Sequence, residues 1–204
     1  MELNRGILIV FEGIDGTGKS THCRMLSKLL SKKGISNVSF AEPTEGKWGQ
    51  KIRRILAEGR KGVSAEEELE WFLNDRKEDV ELNINPALKV GKVVLMDRYY
   101  FSTAAYQGAL GFDPKQIRSD NEKFAPLPDR VLIFHNPPEK SLERIESSRE
   151  IKSSFEKREY LIDVQNIFRS FSGSNIRFIL SDDTLNNIHK KVVLEVNDLF
   201  ELKI

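Results

Sequence analysis

Apolar residues along the chain fall into short runs with few polar breaks, separated by longer stretches in which they recur every three or four positions. The runs are Ile7–Phe11, Val38–Ala41, Val93–Met96, Val131–Phe134 and Arg177–Leu180. Each is rich in Val, Ile, Leu and Phe with little polar alternation, which predicts strands of a parallel sheet covered by helices on both faces. Between the runs the period is helical: Met25, Leu26, Leu29 and Leu30 after the first, and Ile52, Ile55 and Leu56 after the second. A long helical stretch from Ser64 to Leu88 opens on a capping pair, Ser64 and Glu67, and carries Leu69, Phe72, Leu73 and Val80 as a buried stripe. Further helices are expected around Leu142 and Ile145, around Leu161, Val164 and Phe168, and around Ile188, Val192 and Val196. Strand and helix in alternation predict a doubly wound α/β fold. The segments expected to move are Gly59–Gly62, Gly108–Pro114 and Ser147–Ser154.

The length of 204 residues suits one domain, 1–204, with a well-developed core. Lys and Arg number 32 against 31 Asp and Glu, a net charge of +1. Such a balance supplies no overall field for a nucleic acid polymer or a membrane surface. The one cysteine, Cys23, leaves no partner for an intrachain disulfide, and the three histidines lack the spacing of a structural metal site. Ile7–Phe11 is too short to cross a bilayer, and no long apolar run follows it, so a cytoplasmic protein is expected.

Chemistry enters directly after the first strand. Gly13-Ile14-Asp15-Gly16-Thr17-Gly18-Lys19-Ser20 matches the phosphate-loop pattern G-x-x-x-x-G-K-[ST], with Thr21 next in the helix that follows. The glycines let the backbone curl until its N–H groups face phosphate oxygens, and the helix adds its positive end. Lys19 offers a point charge to the terminal phosphates of ATP, and Ser20 a hydroxyl ligand to Mg²⁺. The strand Val93–Met96 ends in Asp97, the pattern of a second carboxylate organising the metal.

A phosphate loop alone does not name a reaction. Phe11-Glu12-Gly13-Ile14-Asp15-Gly16, Glu42-Pro43-Thr44, Phe72 with Asp75-Arg76, and Asp97-Arg98-Tyr99 followed by Ser102 and Ala105-Tyr106-Gln107-Gly108 occur in that order. This set resembles the thymidylate kinase family of nucleoside monophosphate kinases, from the first strand to the last helix. The resemblance implies a P-loop NTPase fold with a five-stranded parallel sheet in the order 2-3-1-4-5, and transfer of the ATP γ-phosphoryl group to dTMP. It also implies a homodimer and a lid over 145–154. Phe72 would stack on the thymine ring, and Arg76, a turn further on, would donate to a base carbonyl. Arg98 would hold the acceptor phosphate, Tyr106 would press on the sugar, and Ser102 and Gln107 would hydrogen-bond near sugar and base. Asp15 would hold the acceptor's 3′-hydroxyl or its phosphate surroundings. At the lid, Arg144 would pack near adenine and Arg149, together with Lys152, would reach the transferring phosphoryl group. Gly16 after Asp15 lacks the extra basic residue that some members carry in the loop, so the lid must provide it.

By periodicity alone Phe72 reads as core and Arg76 as part of a solvated charged face; the ordered set of motifs favours contacts for both. Three positions depart from the family pattern. Ala41 stands where an arginine often precedes Glu-Pro, with Arg53 or Lys47 as the replacement cation. Ser154-Phe155-Glu156 and Phe134-His135-Asn136 also differ. A kinase of another nucleotide or deoxynucleoside, or a P-loop module that binds without transferring, remain the alternatives.

Overall fold

The computed structural model describes residues 5–60, 62–136 and 154–200, with the side chains of 154–157 left aside. The expected helix around Leu142 and Ile145 lies outside the described residues, as do Arg144, Arg149, Lys152 and almost all of the segment 145–154. Five strands, β1 (Ile7–Glu12), β2 (Asn37–Ala41), β3 (Val93–Asp97), β4 (Arg130–His135) and β5 (Ile176–Leu180), form a parallel sheet in the order β2-β3-β1-β4-β5. This is the order that the family resemblance implies.

Side chains alternate across each strand, and the two sets fill two separate cores. Ile7, Ile9 and Phe11 of β1, with Leu95 and Phe134, face α1 (Lys19–Lys32) and α8 (Leu185–Val196) through Cys23, Leu26, Ile188 and Val192. Leu8 and Val10, with Val94, Met96, Val131 and Ile133, face the opposite layer of α3 (Ala65–Asp79), α5 (Tyr100–Gly108), α6 (Pro114–Glu122) and α7 (Ser154–Ser170). Parallel strands covered on both sides read as unbroken apolar runs, as β1 and β3 do here. β2 has one neighbour and stays partly exposed, as an edge strand does.

Local chemistry starts and stops the helices. Ser64 caps α3 by accepting from the Glu67 amide at 3.1 Å, Asp113 caps α6 through Lys115, and Thr184 caps α8 through Asn187. α2 (Lys47–Glu58) stops at Gly59, whose φ of 95° suits glycine. Two expectations are corrected. Leu56, which recurs with Ile52 and Ile55 at helical spacing, is 51% exposed, because of these three only Ile52 and Ile55 are buried. The single helix from Ser64 to Leu88 is three pieces: α3, a wider π-helical turn over Val80–Ile84, and a short α4 (Asn85–Lys89) with Pro86 in its first turn.

The β1–β3 seam sets the geometry of the site, because the phosphate loop and Asp97 leave adjacent strands at the same end. Leu95, in the middle of that seam and fully buried, tests the packing. Leu95→Ala should lower the unfolding free energy by about 2–5 kcal/mol. Leu194→Ala, at a 73% exposed position, should change it by no more than about 0.5 kcal/mol. Urea titration of both variants checks the pair.

Candidate active site

Gly13 begins the loop in a conformation that admits no side chain. Its φ is 126°, and a Cβ there would lie 2.2 Å from the Phe134 carbonyl oxygen. The loop therefore packs directly onto the end of β4. Gly16 and Gly18 also have positive φ, 77° and 90°. Thr17 closes the curl by donating to the Ile14 carbonyl at 2.8 Å. Gly18 leads into α1, whose first turn no side chain caps, leaving the helix's positive end to a ligand. Ser20 is exposed and Thr21 half-buried in that first turn.

Lys19 is buried, and its ammonium donates to the Ile14 carbonyl at 2.8 Å. Burial, then the nearby charge of Arg98, pulls its pKa down to about 8, against Asp15, Asp97 and Glu12. Asp97 ends β3 facing this lysine, and its Oδ1 is buried with no hydrogen-bond partner. A carboxylate oxygen with no donor to accept from fits a cation. The open helix end, the glycine cradle and this oxygen together fit a nucleotide polyphosphate with its magnesium.

Arg98 follows Asp97 with φ of 73°, the only described non-glycine residue in the left-handed region. Its backbone N–H donates to the Phe11 carbonyl at 2.9 Å. That turn swings the guanidinium back over the loop. Nη2 reaches Asp15 at 2.6 Å, Nη1 reaches Ser102 Oγ at 2.9 Å, and the group lies 5.2 Å from the centre of the Tyr106 ring. The structure thus brings Asp15, Lys19, Asp97, Arg98, Ser102 and Tyr106 into one cluster.

Beneath this cluster lies Glu12, an acid that sequence reasoning gave no role. The alternation of β1 sends its side chain to the α5 layer, where it is completely buried. Oε1 accepts from the amides of Tyr99 and Ser102 at 2.8 and 3.2 Å, and Oε2 accepts from the Ser102 hydroxyl. Tyr99 precedes α5 and cannot cap it, so a carboxylate from the central strand does. Burial raises the Glu12 pKa to about 7, against the pull of Ser102, Arg98 and the two amides. The signal available in sequence was an acid prolonging a buried strand.

Besides Arg98, the residues expected to take the acceptor lie on α3 and α5, with Arg53 on α2. Phe72 is half-buried on α3, one turn from Glu68 and one from Arg76 on the same face. Arg76 is 1% exposed, which removes the solvated-face reading of its charged run. Its guanidinium pairs with Glu42, donates to Asn121 at 2.7 Å and to Thr103 at 3.1 Å, and lies over the Tyr99 ring. Gln107 is equally buried and donates to Glu68 at 2.9 Å. Glu42, Glu68, Thr103 and Asn121 were missed, because their partners are distant in the chain. Arg53 wraps the segment after Glu42, donating to Pro43 O at 2.6 Å and Thr44 O at 3.2 Å, with Glu45 at 3.0 Å. Lys47 lies over Trp48 instead.

A five-stranded parallel sheet in this order, with a glycine cradle, a buried lysine and an unpaired aspartate oxygen at the ends of its central strands, defines a P-loop nucleotide-binding protein. The family model described as thymidylate kinase matches residues 11–192. The thymidylate kinase of Desulfotalea psychrophila is 47% identical over 203 residues, covering 99% of this chain and 100% of that one. A probable thymidylate kinase of Archaeoglobus fulgidus is 39% identical over 97% and 98% of the two chains. The crystal structure of thymidylate kinase from Ehrlichia chaffeensis superposes with a TM-score of 0.73 at 26% identity, over 93% of this chain and 97% of that one. The chain belongs to the thymidylate kinase family.

Glu12→Gln keeps an acceptor for both amides and mimics the protonated acid. It should retain activity, while the kcat/KM profile loses the ionisation that Glu12 adds near pH 7 and keeps those of the substrate phosphates. The stability effect follows in sign: between pH 4.5 and about 7 the folded Glu12 holds its proton more than the unfolded one, so stability falls as pH rises through this window. Melting midpoints of the variant should fall less than those of the unsubstituted chain over that range.

Proposed function

We propose that this chain transfers the γ-phosphoryl group of ATP to dTMP, giving dTDP and ADP in the supply of dTTP. The observation that carries the reading is the single cluster of Lys19, Asp97, Arg98 and Asp15, which puts a phosphate loop beside an arginine turned back over it. Membership of a family named for this activity sets the substrates.

The phosphate-loop amides from Gly13 to Thr21 would bind the ATP phosphates, and Lys19 would exchange its contact with Ile14 for a phosphate oxygen. Ser20 and Asp97 would hold Mg²⁺, which supplies charge neutralisation between the terminal phosphates when bound. Arg98 would take the acceptor phosphate with a planar fork, leaving Asp15 to orient both the arginine and the sugar hydroxyl. The acceptor oxygen is already anionic near neutral pH, so positioning and charge stabilisation suffice without a strong general base. Arg144 and Arg149, with the lid over 145–154, would complete the donor side and exclude water. Phe72 would stack on the base, Arg76 and Gln107 would present polar groups to its edge, and Tyr106 and Ser102 would border the sugar. Arg53 would stand in for the arginine absent at Ala41. The single domain 1–204, a homodimer and a cytoplasmic location complete the proposal. Consistent with it, no helix among the described residues is long and apolar enough to cross a membrane.

Two measurements test the reading. ADP release with ATP and Mg²⁺ should be strong with dTMP, weaker with dUMP, and close to background with UMP, dCMP, CMP, AMP, GMP and free thymidine. Activity on a different acceptor would keep the phosphate machinery and discard the base pocket; transfer to none would make the chain a binding module. Lys19→Ala should lower kcat by at least about a hundredfold, and near-normal turnover in single-turnover assays would remove the phosphate loop from the chemistry.

A further inference from the structure

Glu68 stands outside the phosphate chemistry, yet it is 1% exposed and both its oxygens are engaged. Oε2 accepts from Arg60 Nε at 2.6 Å, and Oε1 accepts from Gln107 Nε2 at 2.9 Å. A glutamine amide has a donor end and an acceptor end of nearly the same shape, and only its neighbours decide which way it faces. A carboxylate paired with a guanidinium accepts and does not donate. The end of Gln107 that meets Glu68 is therefore the NH₂.

The other end is left over. Gln107 Oε1 is buried and has no hydrogen-bond partner. Gln107 shares a face of α5 with Thr103, one turn earlier. That face meets Glu68 and Arg76 of α3, whose shared face also carries Phe72. The unpaired oxygen thus belongs to the layer between α3 and α5 in which the acceptor base is proposed to stack. A buried carbonyl oxygen without a partner is the kind of group a ligand donor satisfies.

We infer that Glu68 is a positioning residue for base selection: by holding the amide nitrogen of Gln107, it presents that residue's carbonyl oxygen to the base and favours pyrimidines with N–H at ring position 3 over those with a bare nitrogen there. The inference rests on the proposed base site at Phe72. Thymine and uracil carry that N–H. Cytosine offers a lone pair instead, which would face the oxygen acceptor to acceptor. Size cannot make this distinction, since the rings are nearly isosteric; a buried acceptor that cannot turn over can. Arg60 anchors the device from the loop between α2 and α3, its own side chain 41% exposed.

The test compares dTMP with 5-methyl-dCMP, which differ only at ring positions 3 and 4. The unsubstituted chain should favour dTMP strongly. In Glu68→Gln the Gln107 amide is free to turn, and the ratio of kcat/KM values should fall at least tenfold. In the Gln107→Leu background no amide remains to turn, and Glu68→Gln should leave the ratio within twofold, a coupling that loss of packing alone would not produce. A ratio unchanged in the single variant, or changed equally in both backgrounds, overturns the inference and leaves the base site standing. If the unsubstituted chain does not prefer dTMP to begin with, the base-site reading itself fails, before any variant is made. Should Glu68→Gln not fold, a crystal structure of the unsubstituted chain with dTMP decides: Gln107 bridging Glu68 and ring position 3 supports the inference, and Gln107 released from Glu68 overturns it.

Discussion

Glu12 ends the central strand, and its carboxylate is buried where two amides and a hydroxyl require an acceptor. Left unmet, each of those amides would cost on the order of 1–3 kcal/mol. Meeting them ties the start of α5 to the strand that carries the phosphate loop. Ser102 extends the tie, since the hydroxyl that donates to Glu12 also accepts from Arg98, and Arg98 in turn pairs with Asp15 in the loop. One short chain of contacts thus spans the proposed donor and acceptor halves. Arg98 reaches it only because its backbone takes a left-handed turn, an arrangement of about 1–3 kcal/mol in strain that the surrounding hydrogen bonds offset.

The face proposed to take the acceptor is held by buried charges, where an unpaired ion would be strongly destabilising. Arg76 pairs with Glu42 from the segment after β2, and Glu68 pairs with Arg60 from the loop before α3 and with Gln107 from α5. Such pairs add little net stability over apolar packing. Their consequence is directional: each guanidinium or amide is held in one orientation, which a cleft lined by leucines could not impose. Thr103 and Asn121, from different helices, complete the shell around Arg76 and narrow its options further.

β1, β3 and β4 were legible because burial on both faces leaves a nearly continuous apolar run, while the edge strands β2 and β5, partly exposed, still carry enough Val, Ile, Leu and Phe to stand out. All five runs lie within one residue of the observed strand limits at either end. The phosphate loop was legible because its recognition is carried by backbone, so glycine spacing records it. Arg76 was harder. Its charged neighbours suggest a solvated face, while its partners lie 34, 45 and 27 residues away, at separations no local pattern records. Glu68 was hidden for the same reason, its contact with Gln107 spanning 39 residues. The break at Val80–Ile84 escaped notice because no glycine or proline marks it; the first such residue, Pro86, lies beyond it in the first turn of α4.

This division between legible and hidden residues has a chemical cause. Phosphate is a multiply charged, near-symmetrical anion that a curl of amides and one lysine can grip, so the machinery fits into eight consecutive positions. A base edge is a small, asymmetric pattern of donors and acceptors, and reading it requires side chains that converge from several elements and are prevented from turning. Each such side chain needs its own buried partner, which places the determinants of selectivity one contact back from the ligand. Ala41 illustrates the latitude this leaves: on the proposed reading, a cation absent beside Glu42 need not be restored in place, because Arg53 reaches the same segment from α2 through Pro43 and Thr44. The donor loop has no comparable freedom, since a methyl group at Gly13 would collide with the backbone of β4. Change in this fold is therefore expected to accumulate where α3 and α5 face each other, the layer proposed to read the base with replaceable side chains, while the loop stays fixed by backbone geometry.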